Sequence, residues 1–196
     1  SGWKVRDRKA VEHKQYSHRS AQQGSVEFTL YSDVVRCPEC TTETTLYEVL
    51  VDETNDSLRS ELKCTHCKAV VPESKWEQVH TTFFDPILKQ TIRQLRIEPV
   101  LINYTVGSTR YEKLPDDQDR QTLNTAESLL GTRGLPAIAL IDGKETQRNA
   151  PIGVTYLHQF FTSREHLFVA ALLHQIQKYP DSNLRQMLLF ALTASL

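Results

Sequence analysis

The sequence is poor in cysteine, methionine and glycine, and it lacks any long apolar run. Its 196 residues include four cysteines, one methionine and seven glycines. No stretch approaches the roughly 20 apolar residues that span a bilayer, and the polar start has no signal-peptide core. With a net charge of -1 and 39% hydrophobic residues, the composition is typical of one or two globular domains. We expect a cytoplasmic protein without a membrane partner.

Complete catalytic motifs are also missing. The sequence has no glycine-rich phosphate loop and no pair of histidines spaced for a zinc protease. His158, His166 and His174 recur at eight-residue intervals, and we interpret them as surface or interfacial side chains. Asp85-Pro86 is interpreted as a turn. We therefore predict no catalytic residues in this chain, and we expect that it starts and stops within a longer protein.

The four cysteines form two C-x2-C pairs separated by 23 residues, Cys37-Pro-Glu-Cys40 and Cys64-Thr-His-Cys67. This spacing is typical of a zinc ribbon, in which two tight knuckles supply four thiolates to one tetrahedral Zn2+. Two disulfides would need an extracellular setting that nothing else indicates. A redox role for one pair would leave the other unexplained. We predict a structural Zn2+ site with Cys37, Cys40, Cys64 and Cys67 as its ligands.

A site with four thiolate ligands is closed to water and substrate, so this metal should stabilise a fold too small to bury much apolar surface. The residues between the knuckles predict a hairpin, with strands at 44–51 and 58–63 around a polar turn. A second hairpin is predicted from 75–84 and 91–106, with a bulge or edge at Pro99. Helices are predicted from 116 to 130, from Thr162 or Ser163 to about Lys178, and from Asn183 onward.

These elements predict an α+β fold in which a four-cysteine zinc ribbon and β-hairpins precede a helical C-terminal part. The predicted segments are a basic N-terminal arm and lead-in strand at 1–30, the zinc ribbon at 31–80, a β-hairpin region at 81–115 and a mainly helical region at 116–196.

Charge is distributed unevenly along the chain. Between Arg36 and Trp76 eight acidic residues face five basic ones, so the ribbon as a whole is a poor surface for nucleic acid. Basic residues instead gather in the N-terminal arm, where they are candidate phosphate contacts, and around the second hairpin and the strand that follows it. The members of these groups are Lys4, Arg6, Arg8 and Lys9 in the arm, then Lys89, Arg93, Arg96, Arg110 and Lys113.

Several short motifs occur in an order that resembles the zinc-ribbon-containing adenine-specific DNA methylases. They cover most of the chain and are specific in combination. They are Tyr31-Ser32-Asp33-Val34, Cys37-Pro-x-Cys40, Cys64-x-His-Cys67, Pro99-Val-Leu-Ile-Asn-Tyr-x-Val-Gly107, Arg110-Tyr-Glu-Lys113 and Thr155-x-x-His-x-Phe-x-Thr-x-Arg164.

The resemblance implies a region that lies between the S-adenosylmethionine loop and the catalytic Asp-Pro-Pro-aromatic motif of such an enzyme. Both motifs are absent here. The chain alone is thus expected to be inactive and to recognise target DNA beside the flanking methyltransferase domain, which would hold the S-adenosylmethionine. The resemblance supports the four cysteines as ligands and, less directly, implies DNA contacts at Arg110, Lys113, His158 and Arg164. A second hypothesis is a zinc-ribbon interaction module that docks other domains or proteins.

Overall fold

A computed structural model describes residues 24–52, 57–130 and 135–194 and confirms the predicted α+β class. The chain forms two compact units. The ribbon unit comprises the described part of 1–80 together with 95–116, and the helical unit comprises 81–94 with the described part of 117–196. No helix in the described ranges is long and apolar enough to cross a membrane.

The ribbon unit is built from short and long antiparallel strands. They are β1 (Ser25–Arg36), β2 (Glu43–Thr45), β3 (Val51–Asp52), β4 (Ser57–Leu58), β5 (Glu77–Gln78), β8 (Ile97–Val106) and β9 (Thr109–Lys113). The main sheet has the order β2-β1-β8-β9, and β5 also pairs with β1. A separate two-stranded ladder joins β3 to β4.

The long ladder between β1 and β8 contains the predicted irregularity at Pro99. Leu30 pairs with Leu101 and Tyr31 pairs with Pro99, so Val100 is an extra residue on β8. A proline cannot donate a ladder hydrogen bond, and a bulge accommodates it inside a sheet. The strand predicted over 91–106 is consequently two strands, because β8 leaves the hairpin and pairs with β1.

The prediction of a strand over 44–51 was wrong for its central part, which forms helix α1 (Leu46–Leu50). Thr45 caps this helix by accepting a hydrogen bond from the backbone N–H of Glu48. Capping satisfies an N–H group that a helix would otherwise leave unpaired. Val49 is fully buried, so one turn of helix places this apolar side chain in the core. A strand would instead have pointed successive side chains to opposite faces. The chain returns through the short ladder of β3 and β4, so a hairpin is present, but the strand predicted over 58–63 ends at Leu58.

The helical unit contains one β-hairpin and four α-helices among its described residues. The hairpin consists of β6 (His80–Asp85) and β7 (Gln90–Leu95), with the predicted turn at Asp85-Pro86. The helices are α2 (Asp117–Leu129), α3 (Lys144–Gln147), α4 (Ser163–Gln177) and α5 (Ser182–Ala194). Thr162, one of the two predicted caps, is the N-cap of α4 and forms a capping box with Glu165.

Each unit has its own apolar core. In the helical unit Leu135, Val169 and Ala170 are buried together, with Phe161 and Leu173 packed against them. In the ribbon unit the core surrounds the cysteines and consists of Val35, Cys37, Val49, Cys64, Val71 and Trp76. The C-terminal helix α5 buries none of its described residues.

Candidate metal centre

The four cysteine sulfurs lie in one cluster. Sγ of Cys37 is 3.9 Å from Sγ of Cys67, and Sγ of Cys40 is 3.8 Å from Sγ of Cys64. All four sulfurs lie within 4.8 Å of one another. These distances exclude disulfides, and all four cysteines are free. A tetrahedron with metal–sulfur bonds of about 2.3 Å has edges of about 3.8 Å, so the cluster can hold a metal ion and is compatible with structural zinc.

Two backbone turns of the same shape position these sulfurs. In the first, the N–H of Thr41 donates to the carbonyl of Cys37 at 2.9 Å. In the second, the N–H of Lys68 donates to the carbonyl of Cys64 at 3.0 Å. Thr41 and Lys68 each follow the second cysteine of their pair and have φ values of 59° and 64°. A left-handed residue at this point reverses the chain, so that both sulfurs of a pair face the same side.

The cluster is closed on one side by the ribbon core. Cys37 and Cys64, the first cysteine of each pair, are buried, Cys40 is half-buried and Cys67 is exposed. The indole Nε1 of Trp76 donates to the carbonyl of Val71 at 3.3 Å, which holds the ring in this core. With all four sulfurs committed to one ion, no coordination position is left for water or a substrate. The arrangement suits a structural role and not a catalytic one.

The protonation of the cluster also favours a bound cation. Hydrogen bonds from the side chain and backbone of Thr42 lower the pKa of Cys40 to about 6, against the effect of burial. The backbone of Ala69 favours the Cys67 thiolate, but burial and the neighbouring thiols raise the pKa of Cys67 to about 12. The Cys40 thiolate is thus stabilised, whereas the Cys67 thiolate is disfavoured. A divalent cation would remove the repulsion among four thiolates, because it is the largest positive charge available to them.

A second polar cluster lies inside the helical unit. Oδ2 of Asp85 is 2.8 Å from Nε2 of His158, and both side chains are 5% exposed. Nε2 of His166 accepts a hydrogen bond of 2.7 Å from the backbone N–H of Leu135. The two imidazole rings meet edge to face with centroids 6.1 Å apart. His158 and His166 are therefore buried inside the helical unit and are not the surface or interfacial side chains that were predicted, whereas His174 is exposed.

Proton positions in this cluster follow from its hydrogen bonds. Because Nε2 of His166 accepts a bond, its ring is neutral and carries its proton on Nδ1. Burial and the nearby charge of His158 lower the pKa of His166. Burial alone would raise the pKa of Asp85, but bonds from His158 and from the N–H groups of Leu88 and Ile87 lower it. The Asp85 carboxylate is therefore a buried anion stabilised by three donors.

Basic side chains of the ribbon unit differ in how strongly they are already paired. Arg96 contacts the carboxylates of Glu43 at 2.8 Å and of Glu98, and Arg36 also pairs with Glu43. Lys113 pairs with Asp116 at 3.0 Å. Arg110, by contrast, is exposed on β9 and makes no ion pair with the residues that the structure describes. Of the predicted DNA contacts in this unit, Arg110 is the most available for a phosphate.

The remaining predicted DNA contacts fall in three settings. Arg93 on β7 and Arg164 in the first turn of α4 are exposed. His158 is buried against Asp85. The arm residues Lys4, Arg6, Arg8 and Lys9 lie outside the described residues.

Two features of these sites were not predicted from the sequence. Asp85 and His158 are 73 residues apart, and no spacing rule links them. Thr41 and Lys68 adopt the left-handed conformation although neither is a glycine. Their matching positions directly after each C-x2-C pair were a usable signal. Comparison with protein-family models, with curated proteins and with solved structures finds no match for this chain.

Proposed function

We propose that this chain is a zinc-stabilised, non-catalytic region of an S-adenosylmethionine-dependent adenine-specific DNA methyltransferase, and that it contacts the target DNA. The observation that carries the proposal is the sulfur cluster, whose four members stand at the cysteine positions of the methylase-like motif series. The cluster uses every cysteine of the chain for one closed site. A closed site fits a scaffold and leaves the methyl transfer to flanking sequence.

Methylation of adenine in DNA explains why the catalytic region and the DNA-binding region would be separate. The exocyclic amine of adenine is paired inside the duplex, so the enzyme must extrude the base before a methyl group can reach it. A separate element that grips the phosphates and base edges beside the extruded base would supply affinity and target choice. In this proposal the flanking domain binds S-adenosylmethionine, and residues of this chain hold the DNA.

The distribution of charge on the ribbon unit indicates which of its residues can contact DNA. Its knuckle region is acidic, and four thiolates around one Zn2+ add two further negative charges to it. Arg96 and Lys113 are already neutralised by carboxylates. Arg110 is exposed and lacks such a partner among the described residues. We therefore assign the phosphate contact of this unit to Arg110.

Fluorescence anisotropy of a labelled, adenine-containing duplex, titrated with the zinc-loaded chain at several salt concentrations, tests this assignment. We expect weak, salt-sensitive binding, and we expect Arg110→Ala to reduce the slope of log K against log salt by about 0.9, the value for one phosphate contact. Arg96→Ala is the matched control and should change the slope less. Unchanged anisotropy at low salt, or tight binding of S-adenosylmethionine to this chain in calorimetry, would contradict the proposal.

An interaction module remains the second candidate because of the surface of α5. Met187 and Phe190 on this helix are 69% and 75% exposed, and exposed apolar patches favour protein contacts. In this case the chain would not bind DNA at low salt. Analytical ultracentrifugation of the purified chain would instead show association between chains, and the substitutions Met187→Gln and Phe190→Gln would abolish it.

A further inference from the structure

The hairpin of the helical unit has two faces of different chemistry. On β6, Thr81, Thr82 and Phe84 are exposed, whereas Phe83 is half-buried and Asp85 is buried, so exposure alternates from Thr82 to Asp85. On β7, Gln90, Thr91 and Arg93 are exposed, and exposure alternates from Thr91 to Gln94. Alternation of this kind assigns one side of a strand to the interior and the other to solvent. We call the side that carries Thr82, Phe84, Thr91 and Arg93 the outer face.

The inner face is fixed to the rest of the helical unit at two points. At the turn, Oδ1 of Asp85 accepts bonds of 2.8 and 3.0 Å from the backbone N–H groups of Ile87 and Leu88. Its other oxygen binds His158. Along β7, the Gln94 side chain donates to the carbonyl of Gly153 at 3.3 Å. The hairpin is thus firmly supported from behind, and its outer face stays exposed to solvent.

Gly153 shows how closely the hairpin backbone is seated. A Cβ atom at this position would lie 2.1 Å from the carbonyl oxygen of Arg93, and the φ of Gly153 is +80°. Both the space and the backbone conformation therefore require glycine. The contact fixes β7 at Arg93, so the side chain of this arginine is displayed from a rigid position.

The outer face is cationic and aromatic. Phe84 is 60% exposed. Arg93 and Lys89, the latter at the turn, are exposed and form no ion pair with any residue that the structure describes. Asp85 is the one acidic residue in 81–94, and its charge is buried against His158. A surface with two exposed cations, hydroxyl groups and an aromatic ring, but no exposed carboxylate within this hairpin, is complementary to a polyanion.

We propose that this outer face binds duplex DNA as a two-stranded ribbon. The proposal rests on the function proposed above and assigns its DNA contact in the helical unit. The major groove is about 12 Å wide and admits a two-stranded ribbon. Lys89 and Arg93 bind phosphates at the groove edge, and the ring of Phe84 packs on sugar and base edges. Because the support of the hairpin is rigid, little entropy is lost when the face engages DNA.

The test is anisotropy of a labelled duplex with the zinc-loaded full chain across a salt series. The double variant Lys89→Ala/Arg93→Ala should reduce the magnitude of the salt slope by about 1.8, which corresponds to two phosphate contacts. Phe84→Ala should weaken binding by about fivefold without altering the slope, because the ring carries no charge. Matched controls are Arg148→Ala and Phe168→Ala, which remove an exposed arginine and an exposed phenylalanine of the same unit.

The outcomes separate the two proposals. If the unaltered chain binds the duplex and the hairpin variants behave like their controls, the hairpin contact is overturned while the proposed function stands. If the unaltered chain does not bind at low salt, the proposed function fails and the hairpin contact fails with it. Circular dichroism and zinc content identify any variant that has lost its fold. In that event Arg93→Gln and Phe84→Gln, which keep longer side chains, replace the alanine variants.

Discussion

Replacing Asp85 with alanine removes a buried carboxylate that accepts three hydrogen bonds. Two of the donors are backbone N–H groups in the hairpin turn, and the third is Nε2 of the buried His158. Nδ1 of His158 is itself buried and has no hydrogen-bond partner among the described residues. Without Asp85 this ring would therefore lose the one side-chain hydrogen bond that it makes with the described residues.

The size of the effect follows from these contacts. Removing a buried acceptor leaves its donors unsatisfied at a cost of about 1 to 3 kcal/mol each, and Asp85 accepts from three donors. We expect Asp85→Ala to lower the free energy of unfolding of the helical unit by about 4 kcal/mol. Asp85→Asn keeps an acceptor for the turn and should cost about half as much, since its amide can donate to Nε2 if the His158 proton moves to Nδ1.

Urea unfolding followed by circular dichroism would measure the loss, and hydrogen exchange of peptides covering 81–94 and 157–177 would localise it. Asp142→Ala is the matched control, because Asp142 is exposed and accepts one bond from Gln147. It should cost under about 1 kcal/mol. Nitrogen NMR of His158 would report the proton shift in Asp85→Asn. A loss below about 1 kcal/mol for Asp85→Ala would refute the reasoning, since the pair would then have no net stabilising effect.

Three further predictions concern pH, the ribbon core and a helix cap. The pKa of His166 is lowered in the folded chain. As the pH falls below about 6.5, the unfolded chain therefore binds a proton that the folded chain does not, which favours unfolding. The urea concentration at the midpoint of unfolding should decrease in this pH range. His166→Gln, which keeps an acceptor, should flatten this dependence. Val49→Ala should destabilise the ribbon unit by about 2 kcal/mol in thermal unfolding, whereas Val70→Ala, at 58% exposed, should have little effect. Thr162→Ala removes the cap of α4 and should cost about 1 kcal/mol, which Thr162→Ser should restore.

Local signals in the sequence were sufficient for much of the fold. The C-x2-C spacing predicted each of the two knuckles because a knuckle is a short-range turn. Capping chemistry likewise predicted a cap at Thr162 or Ser163, and Thr162 is the N-cap of α4. Pro99 marked a bulge because its missing N–H is a property of the residue itself. Each of these features is encoded within a few residues of where it occurs.

The features that the sequence did not reveal depend on distant parts of the chain. Residues 44–51 are rich enough in apolar and β-branched side chains to predict a strand, but burial of Val49 in the ribbon core favours one helical turn at 46–50. His158 is buried because Asp85, far away in sequence, supplies a carboxylate to its ring. Periodicity within a helix or strand carries no information about such a partner.

Zinc-edge X-ray absorption of the purified full chain, combined with metal analysis, tests the central claim most directly. The claim is that all four cysteines hold one closed, structural zinc ion. We predict one zinc per chain with four sulfur neighbours at about 2.3 Å. A spectrum with nitrogen or oxygen neighbours, a second zinc, or a folded chain without zinc would contradict it.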